Sequence, residues 1–221
     1  MATYDLEIPI SEEAVRALHV GDTVRLSGVM VTGRDAAHKY MIENFVRADA
    51  VPKSEQSMYE ELQRLLRGGV IYHCGPVVRW RDGGSDRASG GPQSEGRWEF
   101  VAAGPTTSIR EEVYEPEIIA HFGLRGVIGK GGMGPRTLQA CQEHGAAYFH
   151  AVGGAASLIA NAVKEVVAVH KKEEFGVPEA FWVIRVEDFP VVVTMDSHGR
   201  SIHDEVEAAS KAAFARLVAG G

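Results

Sequence analysis

Short apolar blocks, broken by glycine and proline, run the length of this sequence and change period along it. Residues 3–10 alternate like an extended segment. Ser11 followed by two acids then opens a helix running to Leu18, with the serine as its cap. Gly21-Asp22 marks a turn, and Thr23 to Thr32 reads as a strand. A helix is expected from about Asp35 through Phe45, and another from about Gln56 to Leu66, stopped at Gly68-Gly69. Val70 to His73 is a short buried strand closed by Cys74-Gly75-Pro76. Val77–Trp80 and Trp98–Ala102 read as paired strands.

From Gly104 the pattern becomes repeating strand and helix. Val127-Ile128 ends a strand before a glycine-rich turn, Pro135 to Glu143 is helical, and Ala146 to Val152 forms the next strand. Gly153-Gly154 leads into an expected helix with Leu158, Ile159, Ala162, Val163 and Val166 on one face. Ala180–Glu187 and Val191–Thr194 are expected as two strands around Asp188-Phe189-Pro190. A last helix would carry Ile202, Val206, Ala209, Ala213 and Leu217 inward. With no internal repeat and no strong linker, residues 1–221 read as one compact α/β unit with a mixed sheet flanked by helices. The Gly/Ser-rich stretch at about 82–96 cannot bury much apolar surface and reads as an exposed hairpin loop.

Composition narrows the function classes. The net charge of -7 argues against a general nucleic-acid binder, whose backbone contacts need excess Lys and Arg, while leaving room for a local basic pocket. Cys74 and Cys141 are the two cysteines, too few to hold an iron–sulfur cluster or a structural zinc within the chain. The N-terminus lacks a basic start and apolar run, and no stretch nears the roughly 20 apolar residues that span a bilayer. A cytoplasmic protein that binds neither membrane nor nucleic acid is the expectation.

Four loops could carry chemistry. In Thr32-Gly33-Arg34-Asp35-Ala36-Ala37-His38, a strand ends and a helix begins at Arg34, which could grip a carboxylate with two parallel hydrogen bonds. The competing reading has Thr32 or Asp35 as a cap and Arg34 paired with a surface acid, with His38 a packing residue. Gly104-Pro105-Thr106-Thr107-Ser108-Ile109-Arg110 places three hydroxyls where a helix should start, an anion cup, and helical continuation would put Thr106 and Arg110 on one face. Gly129-Lys130-Gly131-Gly132-Met133-Gly134 lacks the spacing of a phosphate-binding P-loop. It reads either as a close-approach ligand loop around Lys130 or as a plain turn. Ala151 to Ala156 could be another anion cup, though close helix–sheet packing is the favoured reading. Two guanidiniums, one ammonium and several hydroxyls at strand ends suit a small dicarboxylate or hydroxyacid.

The Thr32–Lys39, Gly104–Arg110 and Gly129–Met133 motifs, with Trp182-x-x-x-Val186-Glu187-Asp188-Phe189-Pro190, resemble the β subunit of class I fumarate hydratases and L-tartrate dehydratases, in order from about residue 5 to residue 200. The resemblance implies a swivelling β/β/α-type domain and a hydro-lyase that adds water reversibly to an unsaturated dicarboxylate. It implies a partner α subunit carrying a [4Fe–4S] cluster, with no metal in this chain. By motif it implies Arg34, Arg110 and Lys130 as substrate-binding residues. Thr106 would be the catalytic hydroxyl, in proton transfer or positioning, with Asp35, His38 and Thr107 in support. Two departures stand out: Glu111 replaces the methionine that commonly follows the motif arginine, and the 82–96 stretch is long. Fumarate/malate is the first reading and tartrate or another hydroxydiacid the second. A stand-alone dicarboxylate-binding protein without catalysis and a nucleotide-binding domain are the alternatives outside the class.

Overall fold

The structure is a computed structural model that describes residues 1–81 and 97–219; the expected loop at 82–96 lies outside the described residues. Among the described residues, nine strands and eight α-helices follow one another. β1 (Thr3–Ile8), α1 (Glu12–Arg16), β2 (Thr23–Thr32), α2 (Asp35–Met41), α3 (Gln56–Leu66) and β3 (Val70–Tyr72) make up the first part. β4 (Val77–Arg81) and β5 (Arg97–Ala102) form a separate antiparallel pair. α4 (Glu115–Phe122), β6 (Gly126–Gly129), α5 (Pro135–His144), β7 (Ala147–His150) and α6 (Ala156–Ala160) follow. β8 (Val163–His170), α7 (Lys172–Phe175), β9 (Phe181–Met195) and α8 (Ile202–Ala219) complete the order. The mixed sheet flanked by helices agrees with the α/β expectation.

The large sheet closes on itself. β2, β3, β6 and β7 are parallel neighbours in that order. The long β9 then pairs antiparallel with both β7 and β2, completing a five-stranded ring. β1 and β8 extend the ring on β2 and β9. Closure buries an interior and leaves each strand with an outer face for helices, so the apolar residues sort by alternation. Val70, Tyr72, Ile128, Phe149, Trp182 and Ile184 belong to one buried cluster. Ile71, Val127, Tyr148, Phe181 and Val183, one residue out of step, join a second with residues of α2, α3, α4 and α5. Registry brings the ends of β2, β3 and β6 level, with Thr32 opposite Tyr72 and Tyr72 opposite Ile128.

Local signals explain most element starts. Ser11 accepts the Ala14 amide at the start of α1, and proline occupies the first turn of both α4 and α5. Four expectations fail. The expected helix after Gly154 stops at Ala160, and Val163 and Val166 lie in β8, where irregular register lets an apolar spacing of three fit a strand. The two expected strands around Asp188-Phe189-Pro190 are one, β9, because Asp188 adopts φ 51 and takes up the break without ending pairing. Thr106 and Arg110 do not share a helix face, since Ser108–Val113 is a 3-10 turn that starts only after Thr106. The stripe of α8 does not face inward: Val206 and Leu217 are 62% and 79% exposed, because the helix runs beyond a core already closed by β9.

Phe149 is fully buried in the first cluster, so truncating it leaves a void in a closed wall. Phe149→Ala is expected to cost about 3–5 kcal/mol of stability by chemical denaturation. A loss well under 1 kcal/mol would mean that this interior is not packed as described.

Candidate functional site

The parallel strands deliver their loops to one rim. β2 runs into Arg34, β3 into His73, β6 into Lys130 and β7 into Ala151, at the carboxyl ends where α/β folds place ligands. Segment 103–107 is stitched into this rim. The Thr106 amide donates to the His73 carbonyl at 2.7 Å, the Lys130 amide to the Thr106 carbonyl at 3.1 Å, and the Ser108 amide to the Lys130 carbonyl at 3.1 Å. Thr107 and Lys130 form a parallel bridge. Close approach requires Gly129: a Cβ there would stand 1.8 Å from Ser108 Oγ.

Arg34, Asp35, Arg110 and Glu179 form a charged cluster on this rim. Arg34 Nη1 lies 3.2 Å from Glu179 Oε1, and its guanidinium rests over Gly75, where a Cβ would meet Nη1 at 2.7 Å. The other Glu179 oxygen accepts the Ala36 amide at 3.0 Å, satisfying the start of α2. Arg110 Nε and Nη2 donate to the two oxygens of Asp35 at 3.2 and 3.0 Å, a bidentate pair. Burial pulls the Asp35 carboxyl up, but the Arg110 fork outweighs it and holds the group below its ordinary value. Arg110 and Asp35 are nearly half exposed, so this pair faces solvent. Lys130 is partly exposed, with no ion-pair partner among the described residues.

Directly beneath lies a buried polar cluster. Glu115 Oε2 sits 2.9 Å from His38 Nε2 and 3.0 Å from His73 Nε2, all three side chains being fully buried. His38 Nδ1 is 2.8 Å from the Arg34 carbonyl, and His73 Nδ1 is 2.8 Å from Ser108 Oγ, which accepts the Tyr148 hydroxyl at 2.8 Å. Burial would raise the Glu115 carboxyl, yet the two imidazoles prevail and hold it down to about 2. Burial would likewise lower His38, but Glu115 and the Arg34 carbonyl raise it. These ligand atoms lie within 4.8 Å of one another, so the set has the composition of a metal site, although both imidazole Nε2 atoms already meet a carboxylate oxygen at hydrogen-bond distance.

The two residues after Arg110 divide their duties. Glu111 points inward and is buried with no hydrogen-bond partner for either oxygen; Arg110 Nη2 stands 3.9 Å away. Glu112 accepts from Gly134, Arg136 and Thr137 amides and the Thr137 hydroxyl, capping α5 and anchoring the glycine loop beyond Lys130.

The rim therefore gathers Arg34, Asp35, Thr106, Thr107, Arg110 and Lys130, and places His38 underneath. The three-hydroxyl cup does not form. Ser108 is buried in the imidazole network, and the Thr106 hydroxyl donates to the His73 carbonyl at 3.1 Å, leaving its lone pairs free. Glu179, His73 and Glu115 carry no local sequence signal as site residues, because each acquires its partners only when distant strands and turns meet. Cys74 and Cys141 are buried and free, and burial raises both thiols, Cys74 to about 12. The donor set of this chain does not fit an iron–sulfur centre.

Desolvation raises the Glu111 carboxyl above its ordinary 4.5, with Asp35 adding to it and His73, His38 and Arg110 opposing. A raised folded-state value favours the protonated acid, so its contribution is full below 4.5 and is lost as pH rises through the raised value. Glu111→Gln should therefore raise stability near pH 8 by about 1–3 kcal/mol, the scale for relieving an unsatisfied buried polar group, and change little near pH 4. Paired thermal melts at both pH values check this; equal effects would contradict it.

The family described as Fumarase C-terminus matches residues 1–206. A Geobacillus stearothermophilus protein named "Putative fumarate hydratase class I" is 47% identical over 205 residues, covering 93% of this chain and 34% of that protein. The "L(+)-tartrate dehydratase subunit beta" of Escherichia coli K12 is 36% identical over 198 residues, covering 89% of this chain and 85% of that one. This chain thus spans about a third of the first relative and most of the second. With the match running through β2, the Gly-Pro-Thr-Thr segment and the Lys130 loop alike, the chain belongs to the fumarase C-terminal family.

Proposed function

We propose that this chain is the β subunit of a two-part hydro-lyase and supplies the grip on a small dicarboxylate, with fumarate and malate as first substrates. One observation carries the reading: Arg34, Arg110 and Lys130 stand on a single rim with the Thr106 hydroxyl. Three cations and an acceptor oxygen match the two carboxylates and the hydroxyl of malate. The fumarate choice draws on the 47% likeness to the Geobacillus protein, against 36% to the tartrate dehydratase subunit. Tartrate dehydration is the second reading, favoured by the nearly full-length match to that β subunit.

A complete reaction needs more than this rim holds. In this reading an α partner carries the [4Fe–4S] cluster, the Lewis acid for the hydroxyl that is added or lost. The residues of this chain bind and orient. Arg34 and Arg110 are held by Glu179 and Asp35, which keep the guanidiniums in place until substrate carboxylates arrive. Thr106, its proton directed to the His73 carbonyl, presents lone pairs to a substrate proton. A neutral hydroxyl is a weak base, so its work is substrate positioning unless the partner half supplies an activating group.

Two outcomes are expected. The purified chain is inactive alone and gains hydratase activity when assembled anaerobically with a cluster-bearing partner. A cluster-loaded complex inert toward fumarate, malate and tartrate would overturn the reading. In that complex, Arg34→Lys and Arg110→Lys should each raise KM about tenfold or more, the equivalent of about 1.4 kcal/mol, because lysine cannot reproduce a bidentate contact. Lys130→Arg should cost less; steady-state kinetics showing the reverse order would contradict the assignment.

A further inference from the structure

The two halves of the rim meet at one atom. His38 lies on α2 and holds the Arg34 carbonyl from below. His73 follows β3, and its carbonyl receives both the amide and the hydroxyl of Thr106. Both imidazoles reach the same oxygen of Glu115, which α4 brings under the rim. We propose that Glu115 is a positioning residue, whose single oxygen Oε2 sets the spacing between the Arg34 side and the Thr106 side of the carboxylate grip.

Hydrogen-bond directions fix the protons. The Arg34 carbonyl and the Glu115 carboxylate can only accept, so His38 must donate from both ring nitrogens and is an imidazolium. His73 donates from Nε2 to Glu115 and pairs through Nδ1 with the Ser108 hydroxyl, which accepts from Tyr148. A connected chain results, from Tyr148 through Ser108 and His73 to Glu115, met from the other side by His38. The imidazolium and carboxylate cancel in charge, which makes their full burial tolerable. Glu111, Cys141 and Tyr148 are the other titratable groups packed around this pair. Burial raises the Glu111 carboxyl, with Asp35 adding to it and His73, His38 and Arg110 opposing.

The arrangement explains why three buried ionisable groups sit under an open, charged surface rather than an apolar layer. A hydrophobic floor could pack against α2 and β3 but could not fix a backbone carbonyl on each. Through Arg34 and Thr106 the same hub governs both sides of the grip, an assignment that rests on the dicarboxylate reading above. Its proton pattern stands independently of that reading.

Two experiments test the hub. In the full chain, imidazole nitrogen NMR should show His38 with both nitrogens protonated at pH 7, where an ordinary imidazole near 6.5 is mostly neutral. In Glu115→Gln, which keeps an acceptor oxygen but drops the charge, His38 should lose one ring proton at pH 7. A wild-type His38 with a bare ring nitrogen at pH 7 would overturn the proposal, whatever the enzyme's substrate. In the active complex, Glu115→Gln should raise KM for the dicarboxylate about tenfold with a smaller fall in kcat, while the far-ultraviolet circular dichroism is unchanged; an unaltered KM would overturn it. Should Glu115→Gln fail to fold, Ser108→Ala cuts only the His73 arm and should change KM severalfold, with His38 still doubly protonated; no change in KM would count against the hub. Atomic spectroscopy of the purified chain supplies the remaining check. One bound metal per chain, lost in Glu115→Gln, would replace the proton-bonded hub with a metal centre, whereas metal-free protein supports it.

Discussion

Closure of the strand ring by β9 is the constraint on which the rest depends. One 15-residue strand pairs with β2 on one side and β7 on the other, so the parallel block between them cannot splay. The ends of β2, β3 and β6 are consequently held level, and the loops that follow them have one place to go. Short loops on a rigid wall are a way to hold charged side chains with little freedom to relax away. Backbone hydrogen bonds from His73 to Thr106 to Lys130 then weave those loops together.

Above that wall the charges are arranged in pairs of different character. Arg110 with Asp35 and Arg34 with Glu179 are at least partly exposed, and such pairs contribute little to stability. Their value is orientation, since each guanidinium is held in place by a carboxylate. Below, His38 and Glu115 are fully buried, where separating the two would leave an uncompensated charge. The site thus sits between a mutable outer pair set and a rigid inner one. A rim that is open and half exposed is what a site completed by a second protein surface requires.

Much of the fold was legible in the pattern of apolar residues. Gln56–Leu66 appears at the expected boundaries, and Thr23–Thr32 is likewise the expected strand. The failures share a cause: periodicity reports a local preference, and closure of the ring overrides it. Val163 and Val166 fit a helix face until β9 offers an edge to pair with, and Pro190 reads as a break until Asp188 absorbs the distortion. Of the site, Arg34, Arg110 and Lys130 stood out because glycine-rich turns at strand ends advertise ligand loops. Glu115 and Glu179 could not, because a glutamate in a helix or loop has no signature until a partner distant in sequence arrives; Glu179 meets Arg34 and Ala36 across more than 140 residues. Glu111 was visible as a departure from the family motif, but only burial reveals that it faces inward.

The central claim is that the rim of Arg34, Thr106, Arg110 and Lys130 is half of a dicarboxylate site completed by another protein surface. A crystal structure of the chain in complex with a cluster-bearing partner and a bound dicarboxylate tests it most directly. The account predicts the rim buried against the partner, with substrate carboxylate oxygens within hydrogen-bond distance of Arg34, Arg110 and Lys130. A complex in which this rim faces solvent, or in which the dicarboxylate binds without touching it, would contradict the account.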